Sequence, residues 1–162
     1  MNTYQRIFGT GPRGTVISAA LLGAALFLEP KAGLLSVHGN ATVGGVSLAV
    51  SLALTVALVV WSVRSLPVEV RGKGLVDTGA FRYFRHPLYA AFLLFFNFGL
   101  AVCLDNWIYV VWAVAQHPVW HLNIRGEEAL MREAFPGEYE AYCESTGRFF
   151  PKLWQRRSAR QS

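Results

Sequence analysis

Apolar runs dominate the chain, and their lengths indicate helices that cross a lipid bilayer. Residues 41–63 form 23 consecutive positions without a charged residue or a proline. As a helix at about 1.5 Å per residue, this run covers roughly 35 Å, more than a hydrocarbon core of about 30 Å. A single domain of this size could hardly surround such a helix as the buried core of a soluble protein. The pattern therefore predicts a membrane span.

Three further apolar segments are shorter or interrupted. They cover residues 15–28, 88–104 and 107–122. Asp105 and Asn106 separate the last two by a tight break, which predicts a helical hairpin, and Pro118 predicts a kink in its second arm. Together with the long run, these segments predict an all-α integral membrane protein. We expect about four transmembrane helices in one domain over residues 1–162, with a polar loop on the cytoplasmic side and a C-terminal helix.

The first apolar segment has a second interpretation as a signal peptide. Arg6 and Arg13 precede it, as basic residues precede the apolar part of a signal sequence. No convincing small-residue cleavage site follows before Pro30, which favours a span. The segment stops at Glu29-Pro30, so we expect it to tilt or to continue irregularly.

Basic residues gather at alternate connections between these segments. The connection between the second and third carries Arg64, Arg71, Lys73, Arg82 and Arg85, and seven more basic residues follow the fourth segment. The turn between the third and fourth carries none. Basic residues favour the cytoplasmic side of a membrane. We therefore expect both termini in the cytoplasm and the protein in the inner, cytoplasmic membrane.

Composition agrees with this interpretation. The chain is 53% hydrophobic and only 15% charged, below the quarter typical of soluble domains. The positive-inside pattern accounts for the net charge of +5, so we expect the bilayer rather than nucleic acid as a partner. Cys103 lies in a predicted span and Cys143 in the cytoplasmic tail, so no disulfide and no metal site is expected from them.

Two polar segments, residues 71–89 and 123–142, flank the predicted hairpin and therefore meet at one membrane surface. The first ends at Pro87, which suits the first turn of a helix, where backbone N–H donors attract anions. Arg85 and His86 add donors, and the segment contains the aromatic residues Phe81, Tyr83, Phe84 and Tyr89. The second contributes the carboxylates Glu127-Glu128, which a structural role at a helix start would also explain. These groups match the carboxylate, ammonium, adenine and sulfonium of S-adenosyl-L-methionine, and they would fit other zwitterions too.

Both segments carry motifs that resemble the isoprenylcysteine carboxyl methyltransferase family. Residues 74–89, GLVDTGAFRYFRHPLY, resemble its cofactor loop, LV-x-x-G-x-(Y/F)-x-x-x-RHP-x-Y-x-G. The string Glu127-Glu128-x6-Phe135-x3-Tyr139-x2-Tyr142 resembles its EE-x6-F-G-x-x-Y-x-x-Y region. Residues 147–151, GRFFP, stand where the family closes with a short Arg–Pro segment. The resemblance covers the C-terminal half, and phospholipid methyltransferases look related there.

The resemblance implies a methyltransferase that uses S-adenosyl-L-methionine as cofactor and a lipophilic or small molecule as methyl acceptor. The residues it implies around the cofactor are Lys73, Gly74, Leu75, Val76, Phe81, His86, Pro87, Leu88, Tyr89 and Glu127. We expect catalysis to depend on His86, Glu127 and Arg125, without assigning a general base. Asn123, Arg125 and His121 are the predicted substrate residues.

The sequence departs from the family pattern in three ways. Ala91 stands where a glycine is usual, which should narrow the room beside the cofactor, and Pro136-Gly137 replaces a phenylalanine–glycine step. Asn123 stands where the prenylcysteine enzymes carry a substrate-handling arginine. Arg125 has either inherited that role or faces lipid headgroups, and the sequence leaves both open.

Other interpretations of these features remain. His117 and His121 are four residues apart, as in a metal pair, but four histidines in the chain are too few for a membrane di-iron site, so no metal is expected. His86 could serve only as an N-cap. A membrane reductase of the sterol-reductase type would share the C-terminal loop, but such reductases usually have more spans than the four predicted here. A non-catalytic membrane subunit would use its basic tail to dock on anionic lipid.

Overall fold

The computed structural model describes residues 11–33, 35–66 and 74–152. Within these ranges the chain is helical, with no strand and one isolated parallel bridge between Phe84 and Gly147, which confirms the predicted all-α class. The helices are α1 Gly11–Ala32, α2 Ala41–Ser65, α3 Pro87–Cys103, α4 Trp107–Asn123, α5 Arg125–Ala134 and α6 Glu138–Ser145. A 3₁₀ turn, Gly79–Arg82, precedes α3.

Two of these helices, α1 and α2, are long and apolar enough to cross a membrane. Their side chains are mostly exposed, as lipid-facing residues would be. The helix α1 extends beyond the predicted segment at both ends and continues through Pro30, which lies in its last turn. The helix α3 is a shorter apolar helix, and α4 runs unbroken through Pro118.

The four long helices pack side by side in the order α1, α4, α3, α2. Glycines allow two of these contacts to be close. A Cβ atom on Gly14 of α1 would lie 2.6 Å from the ring of Trp120 on α4, and one on Gly99 of α3 would overlap Ser51 of α2. Small residues permit such close approach between apolar helices. The row of helices thereby forms one continuous packed unit.

The carboxylate of Asp105 links two loops at one end of this row of helices. Asp105, in the turn between α3 and α4, has a φ of 52° and accepts hydrogen bonds from the backbone N–H groups of Val37, His38 and Gly39. The bond from His38 lowers the pKa of the Asp105 carboxyl. His38 Nε2 lies 2.8 Å from the carbonyl oxygen of Val102. Asp105 lies in the predicted break between α3 and α4, and it also joins the α1–α2 loop to that turn.

The opposite end gathers the polar segments. A Cβ on Gly11, where α1 begins, would lie 3.4 Å from the hydroxyl of Tyr89 in the first turn of α3. Ser65, the last residue of α2, accepts a hydrogen bond of 3.0 Å from the backbone N–H of Ala80. The start of α3 and the end of α4 therefore lie at the same end of the row, where α5 and α6 follow.

Candidate functional site

The C-terminal strap, residues 146–151, closes over the segment that leads into α3. The backbone N–H of Arg85 donates to the carbonyl of Gly147 at 2.7 Å, and that of His86 donates to the carbonyl of Arg148 at 3.2 Å. Phe149 of the strap is completely buried in a core cluster that includes Trp120 and Ile124. The strap thus ties the end of the described chain to the two residues before Pro87.

A buried carboxylate organises this region. Glu128, in the first turn of α5, is 0% exposed. Arg148 binds it with two hydrogen bonds, Nε to Oε1 at 3.0 Å and Nη2 to Oε2 at 2.5 Å, and Arg85 Nε donates to Oε1 at 3.1 Å. Because charged groups are costly to bury without partners, Glu128 and these arginines stabilise one another.

The surroundings of Glu128 keep it ionised. Burial by itself would raise the pKa of the carboxyl, but the neighbouring His86 and Arg148 and the charge of Arg85 outweigh burial and lower the pKa to about 2. Arg85 also donates from Nη1 to the carbonyl oxygens of Cys143 and Thr146. Arg85 was expected to offer donors to a ligand, whereas its Nε and Nη1 bind within the protein.

The neighbouring carboxylate has a different environment. The side chain of Glu127 is 21% exposed, and its Oε1 accepts a hydrogen bond of 3.1 Å from the hydroxyl of Tyr89. His86 Nδ1 lies 3.6 Å from Glu127 Oε2. His86 also stacks on Tyr89, and Tyr89 packs against Trp120 with ring centroids 4.5 Å apart. These contacts bring together three predicted site residues from two sequence segments.

One atom of this group lacks a hydrogen bond. His86 Nε2 is buried and has no hydrogen-bond partner in the described part of the chain, although Glu128 Oε1 lies 3.6 Å away. His86 is the N-cap of α3, yet its side chain makes no capping hydrogen bond, so a capping role does not account for its ring. The imidazole therefore lies between two carboxylates and stacks on the ring of Tyr89.

The remaining predicted cofactor residues are more scattered. Pro87 is buried at the first position of α3, as expected. The carbonyl of Phe81 accepts a hydrogen bond of 2.6 Å from the hydroxyl of Tyr142 on α6, which anchors the 3₁₀ turn. The others differ in exposure: Gly74 and Leu88 are exposed, and Leu75 and Val76 are half-buried. Lys73 lies outside the described residues.

The predicted substrate residues lie around the end of α4. His121 Nδ1 is 3.3 Å from Arg148 Nη1, and its ring meets Phe149 edge-on. Asn123 approaches Gly14 of α1, and Arg125 is exposed at the start of α5. No group of three or more potential metal ligands occurs among the described residues. His117 and His121 both face aromatic rings of the strap, which explains their spacing as packing.

Comparison with known proteins gives no function for this arrangement. No family model matches the chain. An uncharacterized protein of Schizosaccharomyces pombe is 35% identical over 88 residues, which is 51% of this chain. The chain spans about a quarter of the length of that relative (25%). The relative's description names no activity.

Two members of the observed cluster were not among the predicted site residues. In the sequence, Arg148 stands out only as part of the basic tail and the GRFFP string, and Trp120 only as part of the apolar segment 107–122. The two adjacent glutamates carried a usable signal, since consecutive helical positions point about 100° apart and only one can face the core. Glu128 lies one turn after the buried Ile124, which identifies it as the inward residue.

Proposed function

We propose that this protein is an integral-membrane S-adenosylmethionine-dependent methyltransferase, related to the isoprenylcysteine carboxyl methyltransferases, that methylates a lipophilic or small acceptor. The observation that carries the proposal is the meeting of His86, Tyr89 and Glu127 at the start of α3. These residues come from the two segments whose motifs resemble that family, 38 and 41 positions apart along the chain.

The chemistry of this cluster fits the cofactor. Glu127 is a partly exposed carboxylate able to accept hydrogen bonds from an ammonium group. The rings of Tyr89 and Trp120 offer π faces for a cationic sulfonium or for adenine stacking. His86 Nε2 is a buried polar atom that has no hydrogen bond within the described parts of the chain, and a ligand would satisfy it. Glu128, by contrast, is fully engaged by arginines and serves to hold the cluster.

Catalysis would then rest on position rather than on acid–base chemistry. When bound, S-adenosylmethionine would supply a methyl group on a sulfonium, whose sulfur keeps the bonding electron pair as the methyl leaves. Glu127 and Tyr89 would orient that methyl toward the acceptor, and Phe149 and Trp120 would exclude water from it. A carboxylate or thiolate acceptor has already lost its proton, so no described residue is required to act as a general base.

The membrane arrangement is part of the same proposal. We infer four spans, α1 to α4, with both termini and the His86–Glu127 cluster at the cytoplasmic surface of the inner membrane. The apolar lengths of α1 and α2, the packing of all four helices in one row and the positive-inside pattern support it. A lipophilic acceptor would enter from the bilayer while the cofactor enters from the cytoplasm.

Direct binding measurements on the purified protein test this function. Calorimetry should detect S-adenosylmethionine and S-adenosylhomocysteine but not NADPH. His86→Ala and Glu127→Gln should each weaken binding roughly ten- to a hundred-fold, the effect of losing about 1.5–3 kcal/mol from a charged hydrogen bond. Glu138→Gln, which changes an exposed glutamate at the start of α6, is the matched control and should leave affinity unchanged.

Other results would contradict the proposal in different ways. Binding of NADPH alone would indicate the reductase alternative. Absence of binding for all three compounds would favour a non-catalytic membrane subunit. Unchanged S-adenosylmethionine affinity in both variants would place the cofactor elsewhere in the protein.

A further inference from the structure

The helix α1 adds a third element to the candidate site, beside the two segments that carry the motifs. A Cβ atom on Gly11 would lie 3.4 Å from the hydroxyl of Tyr89, and one on Gly14 would lie 2.6 Å from the ring of Trp120. Ser18 follows Gly14 by about one helical turn and therefore lies on the same face of α1. This face of α1 packs against the aromatic pair formed by Tyr89 and Trp120.

The hydroxyl of Ser18 holds the indole of Trp120 by its one polar side-chain atom. Trp120 Nε1 donates a hydrogen bond of 3.0 Å to Ser18 Oγ. An indole N–H can only donate, so the serine oxygen accepts here and directs its own proton to Gln116 Oε1, 2.6 Å away. Gln116 is buried on α4, one turn before Trp120. Because the hydroxyl accepts from one residue of α4 and donates to another, its orientation is fixed, and the orientation of the indole is fixed with it.

The orientation of this indole bears on the candidate site through Tyr89. Trp120 is buried, and its ring centroid lies 4.5 Å from that of Tyr89 with an angle of 39° between the ring planes. The hydroxyl of Tyr89 donates to Glu127 Oε1 at 3.1 Å. Without the serine hydroxyl, the indole N–H would be buried in its present orientation without an acceptor, which is unfavourable. The ring would then turn toward another acceptor, and its contact with Tyr89 would change.

We propose that Ser18 is a positioning residue of the candidate cofactor site. Its hydroxyl fixes the indole of Trp120, and the indole fixes the ring of Tyr89 as a surface for the cationic or aromatic part of the ligand. The inference rests on the proposed function in one respect, because it takes that ligand to be S-adenosylmethionine or its product. It makes ligand binding depend on α1, which lies outside the C-terminal half that carries the motifs.

The variant Ser18→Ala removes the hydroxyl and keeps the helix. It also keeps the serine backbone carbonyl, which lies 3.4 Å from Trp112 Nε1. Calorimetry with S-adenosylhomocysteine should show an affinity about three- to tenfold lower than that of the parent, the range that one net hydrogen bond supports. Thr15→Ala is the matched control, because the Thr15 hydroxyl is exposed on the same helix and binds the carbonyl of Gly11. It should leave the affinity unchanged.

A second measurement follows the ring of Tyr89 without any ligand. Nuclear magnetic resonance of protein with carbon-13 in its tyrosine rings gives a signal for Tyr89, which is assigned by its absence in Tyr89→Phe. The ring current of the neighbouring indole shifts this signal, so a turn of Trp120 moves it. Ser18→Ala should move it although Ser18 lies about 10 Å along α1 from Gly11, the residue beside the Tyr89 hydroxyl. Thr15→Ala should not.

A double variant separates positioning from helix packing. In a Trp120→Phe background the serine has no indole to hold, so Ser18→Ala should change neither the affinity nor the Tyr89 signal further. A role of Ser18 in packing alone would persist in this background. Ser18→Cys offers a weaker acceptor of similar volume and should shift both readouts in the same direction by less. It replaces the alanine variant if that variant does not fold, and parental values would then contradict the inference.

The outcomes distinguish this inference from the proposed function. An unchanged Tyr89 signal in Ser18→Ala would overturn the inference, and so would a shifted signal with parental affinity. Additive effects of Ser18→Ala and Trp120→Phe would overturn it as well, since each residue would then act by its own route. A Tyr89 signal that depends on Ser18 only through Trp120, in a protein that binds neither S-adenosylmethionine nor S-adenosylhomocysteine, would uphold the positioning role and refute the methyltransferase proposal.

Discussion

Arg148 binds Glu128 through two hydrogen bonds, from Nε to Oε1 at 3.0 Å and from Nη2 to Oε2 at 2.5 Å. The pair joins the C-terminal strap to the first turn of α5, 20 residues earlier in the chain. The adjacent Glu127 faces His86 and Tyr89 instead. Two neighbouring carboxylates therefore have separate roles, one in stability and one in the candidate site, and this separation can be tested.

Glu128→Gln should destabilise the protein much more than Glu127→Gln. Removing the buried charge leaves Arg85 and Arg148 without their counterion, which typically costs about 3–5 kcal/mol. Glu127 is partly exposed, so its substitution should cost less than about 1 kcal/mol. Unfolding in mixed micelles with a denaturing detergent measures the loss of unfolding free energy in both variants. Equal losses would show that Glu128 is not the structural member of the pair.

The same carboxylate predicts how stability depends on pH. The pKa of Glu128 is lowered from 4.5 to about 2 in the folded protein, so its contribution is complete above about pH 4.5 and disappears as the pH falls toward 2. The full contribution is about 3 kcal/mol. The difference in unfolding free energy between the parent and Glu128→Gln should shrink over this interval. A difference that stays constant there would contradict the buried ion pair.

Phe149→Ala should loosen the C-terminal strap. The ring is completely buried against the core near Trp120, and removing a buried phenylalanine costs about 3–5 kcal/mol. Phe150→Ala is the control, because that adjacent ring is 57% exposed. We expect the control to lose less than about 1 kcal/mol in the same unfolding measurement. Similar losses for both variants would mean that the strap does not anchor through Phe149.

The proposed membrane topology predicts opposite labelling of the two ends of the helix row. Leu35→Cys and Glu133→Cys, in a background without Cys103 and Cys143, introduce thiols at exposed positions. Asp105 is unsuitable for this test because its carboxylate holds the adjoining loop. A membrane-impermeant maleimide added to spheroplasts should label Leu35→Cys, whereas Glu133→Cys should require broken membranes. Labelling of both from one face would refute the four-span arrangement.

Substitutions of Arg125 test which of two roles this residue has, binding of the acceptor or contact with lipid headgroups. Its side chain is exposed at the start of α5, which favours the role at lipid headgroups. We therefore expect Arg125→Ala and Arg125→Lys to retain near-normal kcat and KM on an accepted substrate and normal cofactor affinity. A raised KM in Arg125→Ala, only partly recovered by Arg125→Lys, would instead assign Arg125 to an anionic acceptor, because lysine lacks the planar fork of arginine.

Helix class and approximate helix positions were predictable from the sequence because they depend on local apolar patterns. The predicted segment 88–104 matches α3, Pro87–Cys103, within one residue at each end. Pro87 was correctly expected at the first helical position, since its missing N–H is unsatisfied there in any case. The end of α1 was predicted less well, because the helix continues through Pro30 in its last turn and ends at Ala32.

Within the candidate site, the sequence specifies which residue types are available, but tertiary packing sets which of them come into contact. The motifs pointed to His86, Tyr89 and Glu127, and the fold brings those three together. Sequence could not assign Arg85 to the buried side of the site, since its partners lie 43 to 61 residues away. Gln116 likewise reads as an ordinary polar residue in an apolar helix. Only the packing of α1 against α4 occupies one end of its amide and buries the other without a partner among the described residues.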